Sequence, residues 1–376
     1  MLLIEADGKA LFAAHGIAVP SGVVVTAADV IAPPADFGPW MVKAQVPIGG
    51  RGKAGGVRRC GSADAVADAV REMLGTRLKG HAVEACLIEQ VVTGGERYLA
   101  LMVDPANYGV RVIYLAEGGV EVEDGPGAGH IDLICAPEVH AIVAALDGLL
   151  AQEPAATRTH IAKVGRKLAE MLLLRELALA EINPLFVSDT DCVAGDAKVV
   201  VDLNAIERQP EIAALIAARP SIYLDANRKL QEGFDYVELD PKGEIGLVTT
   251  GAGLSMMLID ELTARRMKPL NFCDVRSGQL RGSPHRLIRV LEWITSRPTL
   301  RVVLVNIFAG ITDLGEFAAL LAAAVDASPG LRVPVVARLV GRGAEDARRI
   351  LAEKRPDIAM EEDLRAALDR IAAVLA

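Results

Sequence analysis

Residues 43–56 combine three cations with five glycines and follow a short apolar run. Glycine permits backbone conformations and close approaches that a Cβ would block. Successive free N–H groups in such a loop form a concavity for anions, and Lys43, Arg51 and Lys53 add positive charge to it. The segment therefore predicts a polyphosphate-binding flap after a strand, with a flexible, solvated hairpin as the alternative interpretation.

A second group of polar residues supplies oxygen atoms that could bind a metal ion. Glu181 and Asn183 alternate along an apolar run, so both side chains should face the same side of a strand, and Asp196 follows after one turn. Carboxylate and amide oxygens suit Mg²⁺ held partly by nucleotide phosphates. Asn183 before Pro184 is by itself a turn signal. Together with the glycine-rich segment, these residues favour a metal–nucleotide site.

Two further glutamates lie at the ends of predicted strands. Glu89 ends one strand and Glu96 opens the next. Their carboxylates could accept hydrogen bonds from an adenine amino group or from ribose hydroxyls. The alternative is that both belong to a solvated sheet edge.

Two strand-to-helix turns stand out in the second half of the chain, at residues 249–253 and 306–312. The helix N-termini that follow them offer unpaired N–H groups and a positive dipole end to a carboxylate or phosphoryl group. In open α/β sheets, ligands bind at the carboxyl ends of the strands, where these turns should lie. No complete G-x-G-x-x-G motif occurs, which argues against a nicotinamide site.

The elements that must position these residues fall into two groups. The first half mixes predicted hairpins and helices, which is typical of an α+β domain. From residue 244 onward, apolar strands alternate regularly with helices, and this predicts a parallel, doubly wound sheet. The strands predicted there are residues 244–249, 269–274, 301–307 and 333–339. We therefore predict an α/β protein with two domains, residues 1–230 and residues 231–376.

The composition narrows the possible functions. A chain of 376 residues is too long for one core. The net charge of −9 argues against general binding to nucleic acid or to an anionic membrane. The sequence contains no run of about 18 uncharged apolar residues, so no membrane-spanning helix is predicted. Five scattered cysteines without a CxxC pair suggest reduced thiols and a cytoplasmic protein.

Five motifs along the chain carry a family resemblance. They are residues 42–45 (Val-Lys-Ala-Gln), 49–57 (Gly-Gly-Arg-Gly-Lys-Ala-Gly-Gly-Val), 181–185 (Glu-Ile-Asn-Pro-Leu), 251–254 (Gly-Ala-Gly-Leu) and 305–308 (Val-Asn-Ile-Phe). In this order the chain resembles, over essentially its whole length, the β subunit of succinyl-CoA synthetase, the ADP-forming succinate–CoA ligase. The resemblance implies an ATP-grasp fold for the first half and a flavodoxin-like ligase domain for the second.

The resemblance also implies roles for individual residues. Glu181 matches a catalytic glutamate that meets a phosphohistidine visiting the nucleotide site. The residues matching nucleotide-binding positions are Lys43, Gly50, Arg51, Gly52, Glu89 and Glu96. The residues matching Mg²⁺ ligands are Asn183 and Asp196. The residues on the acid-substrate side are Thr250, Gly310, Ile311 and Thr312.

In this family the phosphohistidine and the CoA site belong to a separate α subunit. The implied reaction converts a small carboxylic acid, CoA and ATP into acyl-CoA, ADP and phosphate, through an acyl phosphate and the phosphohistidine. This chain would then supply the Mg²⁺–nucleotide site and part of the acid site. The implied assembly is a heterodimer or a heterotetramer, with no nucleic acid or membrane partner.

Three positions on the acid side depart from the family pattern. Thr250 replaces the usual asparagine before Gly-Ala-Gly, Arg276 follows Asp274-Val275 where glycines are usual, and Ala309 replaces a glycine in a turn that continues to Thr312. Thr250 loses an amide donor, and Arg276 adds a cation and bulk. The resemblance implies succinate as the default acid, and Thr250 and Arg276 motivate malate or another carboxylic acid as the alternative. Two other readings are a catalytically silent nucleotide-binding subunit and an ATP-grasp ligase that works without CoA.

Overall fold

The computed structural model describes residues 1–26, 33, 38–118, 131–280, 282–310 and 312–376. The chain forms two compact units, Met1–Ile222 and Tyr223–Ala376. The boundary expected after residue 230 falls within a helix of the second unit, Leu224–Glu232.

The first unit contains two antiparallel sheets and the helices that cover them. Its helices are α1 (Glu5–Ala14), α2 (Ala63–Met73), α3 (Val139–Leu149), α4 (Ala155–Leu174) and α5 (Pro210–Ala217). Its strands are β1 (Gly22–Val25), β2 (Trp40–Ala44), β3 (Val57–Cys60), β4 (Arg77–Leu78), β5 (His81–Ala82), β6 (Cys86–Gln90), β7 (Gly95–Asp104), β8 (Gly109–Leu115), β9 (Ile131–Cys135), β10 (Leu177–Val187), β11 (Cys192–Ala194) and β12 (Lys198–Val201).

The smaller sheet of this unit carries the glycine-rich segment. Its strands run in the order β1-β6-β2-β3, and the segment connects the adjacent antiparallel strands β2 and β3. Helix α2 begins where the Ser62 hydroxyl accepts a hydrogen bond from the Ala65 N–H, and its apolar side buries Val66 and Val70. These valines pack with Trp40 and Val42 of β2 in one apolar cluster. Strand β2 is therefore held from one side by a helix while its end leads into the loop.

The larger sheet is organised around β10. Its strands run in the order β11-β10-β7-β8-β9, and β12 also pairs with β10. The β10–β7 register shifts between Ile182 and Leu185, next to the polar pair predicted from sequence. Helix α4 packs on β10 and β7, and α3 packs on β8 and β9. The connection between β11 and β12 brings Gly195 and Asp196 to the same end of the sheet as Glu181.

The second unit alternates strands with helices. Its strands are β13 (Asp235–Glu238), β14 (Ile245–Thr249), β15 (Asn271–Asp274), β16 (Val302–Ala309), β17 (Val335–Gly341) and β18 (Ala359–Glu361). Its helices are α6 (Leu224–Glu232), α7 (Ala252–Ala264), α8 (His285–Thr295), α9 (Leu314–Asp326), α10 (Ala344–Lys354) and α11 (Leu364–Leu375).

The parallel sheet of this unit has flavodoxin-like order. Strands β14, β16, β17 and β18 are neighbours in that order. Strand β15 runs beside β14 through a parallel bridge between Ile245 and Pro269 and pairs antiparallel with β13 on its other side. Counted along the chain, the parallel strands therefore stand in the order 2-1-3-4-5.

Both faces of this sheet are covered by helices. On β16, Val303 and Val305 belong to one apolar cluster, with side chains of α8, α9 and α10, whereas Val302 and Leu304 belong to another, with side chains of α7 and α11. Alternate residues of one strand thus enter opposite cores. The predicted α/β class, a mixed domain followed by a doubly wound domain, is confirmed. Among the helices of the described residues, no helix has the length and apolarity needed to span a membrane.

Candidate functional site

A cleft of about 290 Å³ in the first unit gathers residues from distant parts of the sequence. It lies between the glycine-rich segment and the part of β10 from Glu181 to Phe186. The predicted residues that line it are Lys43, Gly50, Arg51, Gly52, Glu89, Glu181, Asn183 and Asp196. They come from β2, the β2–β3 connection, β6, β10 and the β11–β12 connection, so the fold brings together segments that the sequence separates by up to about 150 positions.

The glycines of the β2–β3 connection have specific conformational roles. Gly50 and Gly55 have φ angles of +66° and +80°, in the left-handed region that favours glycine. The Gly56 N–H donates to the Arg51 carbonyl at 2.9 Å, and the Gly56 carbonyl accepts from the Ala44 N–H at 2.8 Å, so the loop closes back onto β2. A Cβ added at Gly52 would meet nothing within 4 Å. The loop therefore leaves open space beside Arg51.

The Lys43 ammonium is fully engaged in this structure. Its Nζ lies 2.7 Å from Glu5 Oε1, 2.6 Å from Glu89 Oε1 and 2.9 Å from the Gly195 carbonyl oxygen. Three acceptors match the three N–H donors of an ammonium group. Lys43 is only 7% exposed.

Arg51 crosses from the loop to the far wall of the cleft. Its Nη2 donates to both carboxylate oxygens of Asp196 at 3.0 Å and lies 2.8 Å from Glu5 Oε2. A guanidinium matches a carboxylate or phosphate well because its donors lie in a rigid plane. The cation predicted to bind phosphate and the carboxylate predicted to bind metal are thus paired with each other.

Two residues of helix α1, Glu5 and Lys9, also belong to this buried cluster of charged side chains around Lys43 and Arg51. Neither was identified from the sequence. Lys9 Nζ lies 2.7 Å from Glu5 Oε1, 2.5 Å from Glu89 Oε2 and 2.9 Å from the Gly195 carbonyl oxygen. Both residues are buried. The signal available in the sequence was their i,i+4 spacing, but that spacing ordinarily marks an ion pair on a solvated helix surface.

The electrostatics of the cluster keep these groups charged. Burial by itself would raise the pKa of Glu5, but Lys43, Lys9 and Arg51 outweigh it and hold that pKa well below its usual range. Burial by itself would lower the pKa of Lys43, but Glu5, Glu89 and Asp196 raise it above its ordinary value. The pKa of Arg51 is raised in the same way, chiefly by Glu5 against the effect of burial. Each buried charge thus depends on its partners.

Glu181 and Asn183 lie together on the wall formed by β10, as their alternation predicted. Lys198 Nζ, which also lines the cleft, lies 3.0 Å from Glu181 Oε2. Lys198 stands opposite Glu181 in the β10–β12 register. Lys198 is therefore a further cleft residue that was not identified from the sequence, because its position opposite Glu181 depends on the pairing of β10 with β12.

The oxygen donors of the cleft fit a hard cation that shares its coordination with a nucleotide. Asn183 offers an amide oxygen and Asp196 a carboxylate, the ligand chemistry that Mg²⁺ prefers. Among the described residues, no three His, Cys, Asp or Glu side chains are grouped so that they could hold a metal ion by themselves. Phosphate oxygens would complete such a coordination sphere.

The two glutamates predicted at strand ends have different surroundings. Glu89 is buried, and its two oxygens lie on Lys9 and Lys43, so it does not belong to a solvated edge. Glu96 is exposed and does not line the cleft. It stands opposite Phe186 in the β7–β10 register, and Phe186 does line the cleft. Glu96 is therefore one strand away from the rim.

In the second unit, three hydroxyls meet at the carboxyl ends of the parallel strands. Ser277 Oγ lies 3.3 Å from Thr250 Oγ1 and 3.0 Å from Thr312 Oγ1. Sequence reasoning selected Thr250 and Thr312 but not Ser277, which joins them. At Gly310 a Cβ would meet nothing within 4 Å, so the turn is open beside them. The predicted substrate residue Ile311 lies outside the described residues.

Arg276 follows the end of β15 in an unusual conformation. Its φ is +48°, in the left-handed region where a side chain is disfavoured. Asp274 Oδ1 fixes this turn by accepting from the Arg276 N–H at 3.1 Å and the Gly251 N–H at 3.0 Å. The Arg276 guanidinium donates to Asp235 at 3.0 Å, and Asp235 also lies 2.8 Å from Lys229. Two cations thus share the Asp235 carboxylate.

Comparison with known proteins matches both units to families. Residues 2–187 match the family model of an ATP-grasp domain, and residues 248–371 match the family model of a CoA-ligase.

Curated relatives match over nearly the whole chain. The β subunit of an ADP-forming succinate–CoA ligase from Chloroflexus aurantiacus is 36% identical over 367 residues, covering 94% of each chain. The corresponding subunit from Rubrobacter xylanophilus is 35% identical over 373 residues, covering 95% of this chain and 94% of the relative.

A solved structure shares the fold. The structure of ATP citrate lyase from Methanothrix soehngenii in complex with citrate and coenzyme A aligns with a TM-score of 0.74 at 17% identity, covering 98% of this chain and 99% of the other. At that identity, the likeness concerns the fold alone.

Proposed function

This chain belongs to the family of ADP-forming succinate–CoA ligase β subunits, and from that premise we propose that it works with an α subunit to make acyl-CoA from a small carboxylic acid, CoA and ATP. The terminal phosphoryl group of ATP passes to a histidine of the α subunit, with release of ADP, and then from the histidine to the acid. Attack of the CoA thiol on the resulting acyl phosphate releases inorganic phosphate.

The observation that carries this proposal is the cleft of the first unit. Lys43 and Arg51 enter it from the strand and loop that the sequence selected for phosphate binding, and Asn183 and Asp196 enter it from the opposite wall. Cations for the phosphates and oxygen donors for the metal, lining one cleft, suit a Mg²⁺–nucleotide. Bound Mg²⁺ would neutralise phosphate charge, and Asn183 and Asp196 are the residues that would hold it.

Glu181 is the proposed contact for the phosphohistidine. It lies on the cleft wall, is 7% exposed and is paired with Lys198. A carboxylate in that place can accept a hydrogen bond from the histidine ring and orient it toward the terminal phosphate of the nucleotide. The pairing with Lys198 keeps the carboxylate fixed until the histidine arrives.

The acid site is proposed at the hydroxyls of Thr250, Ser277 and Thr312 in the second unit. Hydroxyls can donate to a substrate carboxylate, and the open turn at Gly310 leaves room for it. Succinate is the default acid because the curated relatives are named for it.

A hydroxylated acid such as malate is the second candidate. The reason is the polar character of this site, where Thr250 and Arg276 stand in place of an asparagine and a glycine of the family pattern. A hydroxyl on the substrate could join the three hydroxyls, and this distinguishes malate from succinate. Positive charge from Arg276 would favour a second carboxylate in either acid.

The test is co-purification of the chain with its α partner, followed by a panel of carboxylic acids in an assay for ATP- and CoA-dependent thioester formation. Thioester formation with at least one acid is expected, with succinate favoured if the default holds. Succinate reacting no better than the other acids would exclude the default, and preference for malate would select the second candidate. No thioester with any acid would contradict the proposal.

The same complex separates the remaining alternatives. A silent nucleotide-binding subunit would bind ATP without phosphorylating the α subunit. A ligase that works without CoA would form an acyl phosphate that amines trap and CoA does not. The assembly, αβ or α₂β₂, follows from the mass of the purified complex.

A further inference from the structure

Lys9 and Lys43 contact the same three acceptors although they lie on different elements, α1 and β2. Each ammonium lies within 2.9 Å of Glu5, Glu89 and the Gly195 carbonyl oxygen. Each therefore has as many acceptors as it has N–H donors. For Lys43 to donate to a phosphate, one of these acceptors has to leave it.

Glu5 is the acceptor that connects Lys43 with Arg51. Its Oε1 lies 2.7 Å from Lys43 and its Oε2 lies 2.8 Å from Arg51. Among the described carboxylates, Glu5 is the one that lies within 2.8 Å of Lys9, Lys43 and Arg51 together. A carboxylate bridging two cations in this way offers them two anionic oxygens, as a phosphate group would.

The other acceptors of Lys43 are less able to leave. Gly195 contributes a backbone carbonyl between β11 and β12. Glu89 lies inside the sheet on β6, where it is paired with Gly22 of β1 on one side and Met41 of β2 on the other. Glu5, at the first position of helix α1, contacts both Lys43 and Arg51. Its withdrawal would therefore free both of the cations that are predicted to bind phosphate.

We propose that the Glu5 carboxylate is a placeholder for the nucleotide phosphates, and that Lys9 holds it when Lys43 and Arg51 turn to the nucleotide. This inference rests on the proposed nucleotide site. A buried carboxylate left without a partner would be costly, and Lys9 removes that cost because it already touches both Glu5 and Glu89. Glu5 and Lys9 are thus positioning residues with opposite effects on nucleotide affinity.

The two substitutions that test this have opposite expected signs. Glu5→Gln keeps the shape but removes the competing negative charge, so Mg²⁺–ATP, Mg²⁺–ADP and inorganic tripolyphosphate should bind about tenfold more tightly. Lys9→Met removes the cation that retains Glu5, so the same ligands should bind about tenfold more weakly. A merely structural role for these residues would weaken binding in both variants.

The matched control is Glu72→Gln, which removes an exposed glutamate of the same unit that pairs only on the surface with Arg58. Its affinity for all three ligands should equal that of the wild type. Thermal melting of each variant with and without ligand checks folding, and Glu5→Gln should show the larger gain on ligand addition.

Calorimetric titration of the full chain decides between the outcomes. Tighter binding by Glu5→Gln together with weaker binding by Lys9→Met supports the inference. Unchanged or weaker binding by a folded Glu5→Gln overturns it, and so does unchanged or tighter binding by Lys9→Met. If Glu5→Gln does not fold, Lys9→Met is read together with Lys9→Arg, which keeps the cation. Near wild-type affinity in Lys9→Arg beside weaker binding in Lys9→Met supports the inference, and equal weakening in both overturns it. A wild-type chain that binds no nucleotide contradicts the proposed function itself, which is a separate result.

Discussion

Arg51 and Asp196 form an ion pair across the cleft of the first unit, although 145 positions separate them in the sequence. Arg51 Nη2 lies 3.0 Å from each of the two Asp196 carboxylate oxygens. Each carries the charge that balances the other. A Mg²⁺–nucleotide would replace this pair with two separate contacts, phosphate on Arg51 and metal on Asp196. Metal and nucleotide should therefore bind cooperatively.

The first prediction concerns Asp196. Asp196→Asn removes the carboxylate charge proposed to hold Mg²⁺, so the Mg²⁺ concentration for half-maximal activity should rise by about tenfold or more. The measurement is a Mg²⁺ titration of thioester formation at fixed ATP. Asp189→Asn, at an exposed position of the same region, should leave that concentration unchanged. An unaltered Mg²⁺ requirement in Asp196→Asn would exclude Asp196 as a metal ligand.

The second prediction concerns Lys43. A charge-assisted phosphate contact contributes about 1.5–3 kcal/mol, so Lys43→Ala should weaken nucleotide binding or slow phosphoryl transfer by roughly 10- to 150-fold. Titration with Mg²⁺–ADP and the rate of labelling by ATP measure the two effects. Lys163→Ala, on the exposed side of α4, is the matched control. Wild-type affinity and wild-type labelling rate in Lys43→Ala would show that Lys43 does not contact the phosphates.

The third prediction concerns Arg276, whose left-handed backbone carries a cation beside the acid site. Arg276→Gly should change the ranking of acids in the thioester assay, with the largest loss in kcat/KM for acids with a second carboxylate, because the guanidinium is removed. The substitution should also remove about 1 kcal/mol of backbone strain. Loss of the surface ion pair with Asp235 should destabilise the protein by less than that, so the free energy of unfolding should rise.

The control for this prediction is Arg266→Gly. Arg266 also has a left-handed φ of +61° and is exposed after α7. Its replacement should stabilise the protein by a similar amount and leave the ranking of acids unchanged. If wild type and Arg276→Gly rank the acids identically, Arg276 does not determine substrate specificity.

The fourth prediction concerns the pH dependence of stability. The pKa of Glu5 is held below its usual range in the folded protein, so its ion pairs stabilise the fold at pH values above the unfolded pKa of about 4.3 and are lost as pH falls toward the folded pKa. The difference in unfolding free energy between wild type and Glu5→Gln should therefore be constant near neutral pH and shrink below about pH 4.3. Denaturant titrations at several pH values measure it. A difference that grows on acidification would show that Glu5 is not stabilised as a carboxylate.

The glycine-rich flap and the parallel domain were predictable from the sequence because their signals are local. The loop has a left-handed backbone at positions 50 and 55, and the sequence shows this directly because both residues are glycine. The alternation of strands and helices after residue 244 needs only apolar runs. Glu181 and Asn183 could be placed on one side of a strand because the period of a strand is two residues.

The charged partners inside the cleft were not predictable in this way. Glu5 reaches Lys43 over 38 positions, and Lys9 reaches Gly195 over 186 positions, through pairings of strands and helices that local patterns do not specify. A glutamate and a lysine four residues apart ordinarily indicate a solvated helix surface. Ser277 was likewise recognisable only when the turns after β14, β15 and β16 stood side by side.

The most direct test of the account is phosphoryl transfer from γ-labelled ATP to the α subunit in the purified complex, compared with a complex that contains Lys43→Ala. We predict an acid-labile, base-stable label on a histidine of the α subunit with the wild-type chain, and labelling slowed by roughly tenfold or more with the variant. Absence of label with the wild-type chain, or equal labelling by both, would contradict the assignment of the Lys43–Arg51 cleft as the site from which ATP supplies its phosphoryl group.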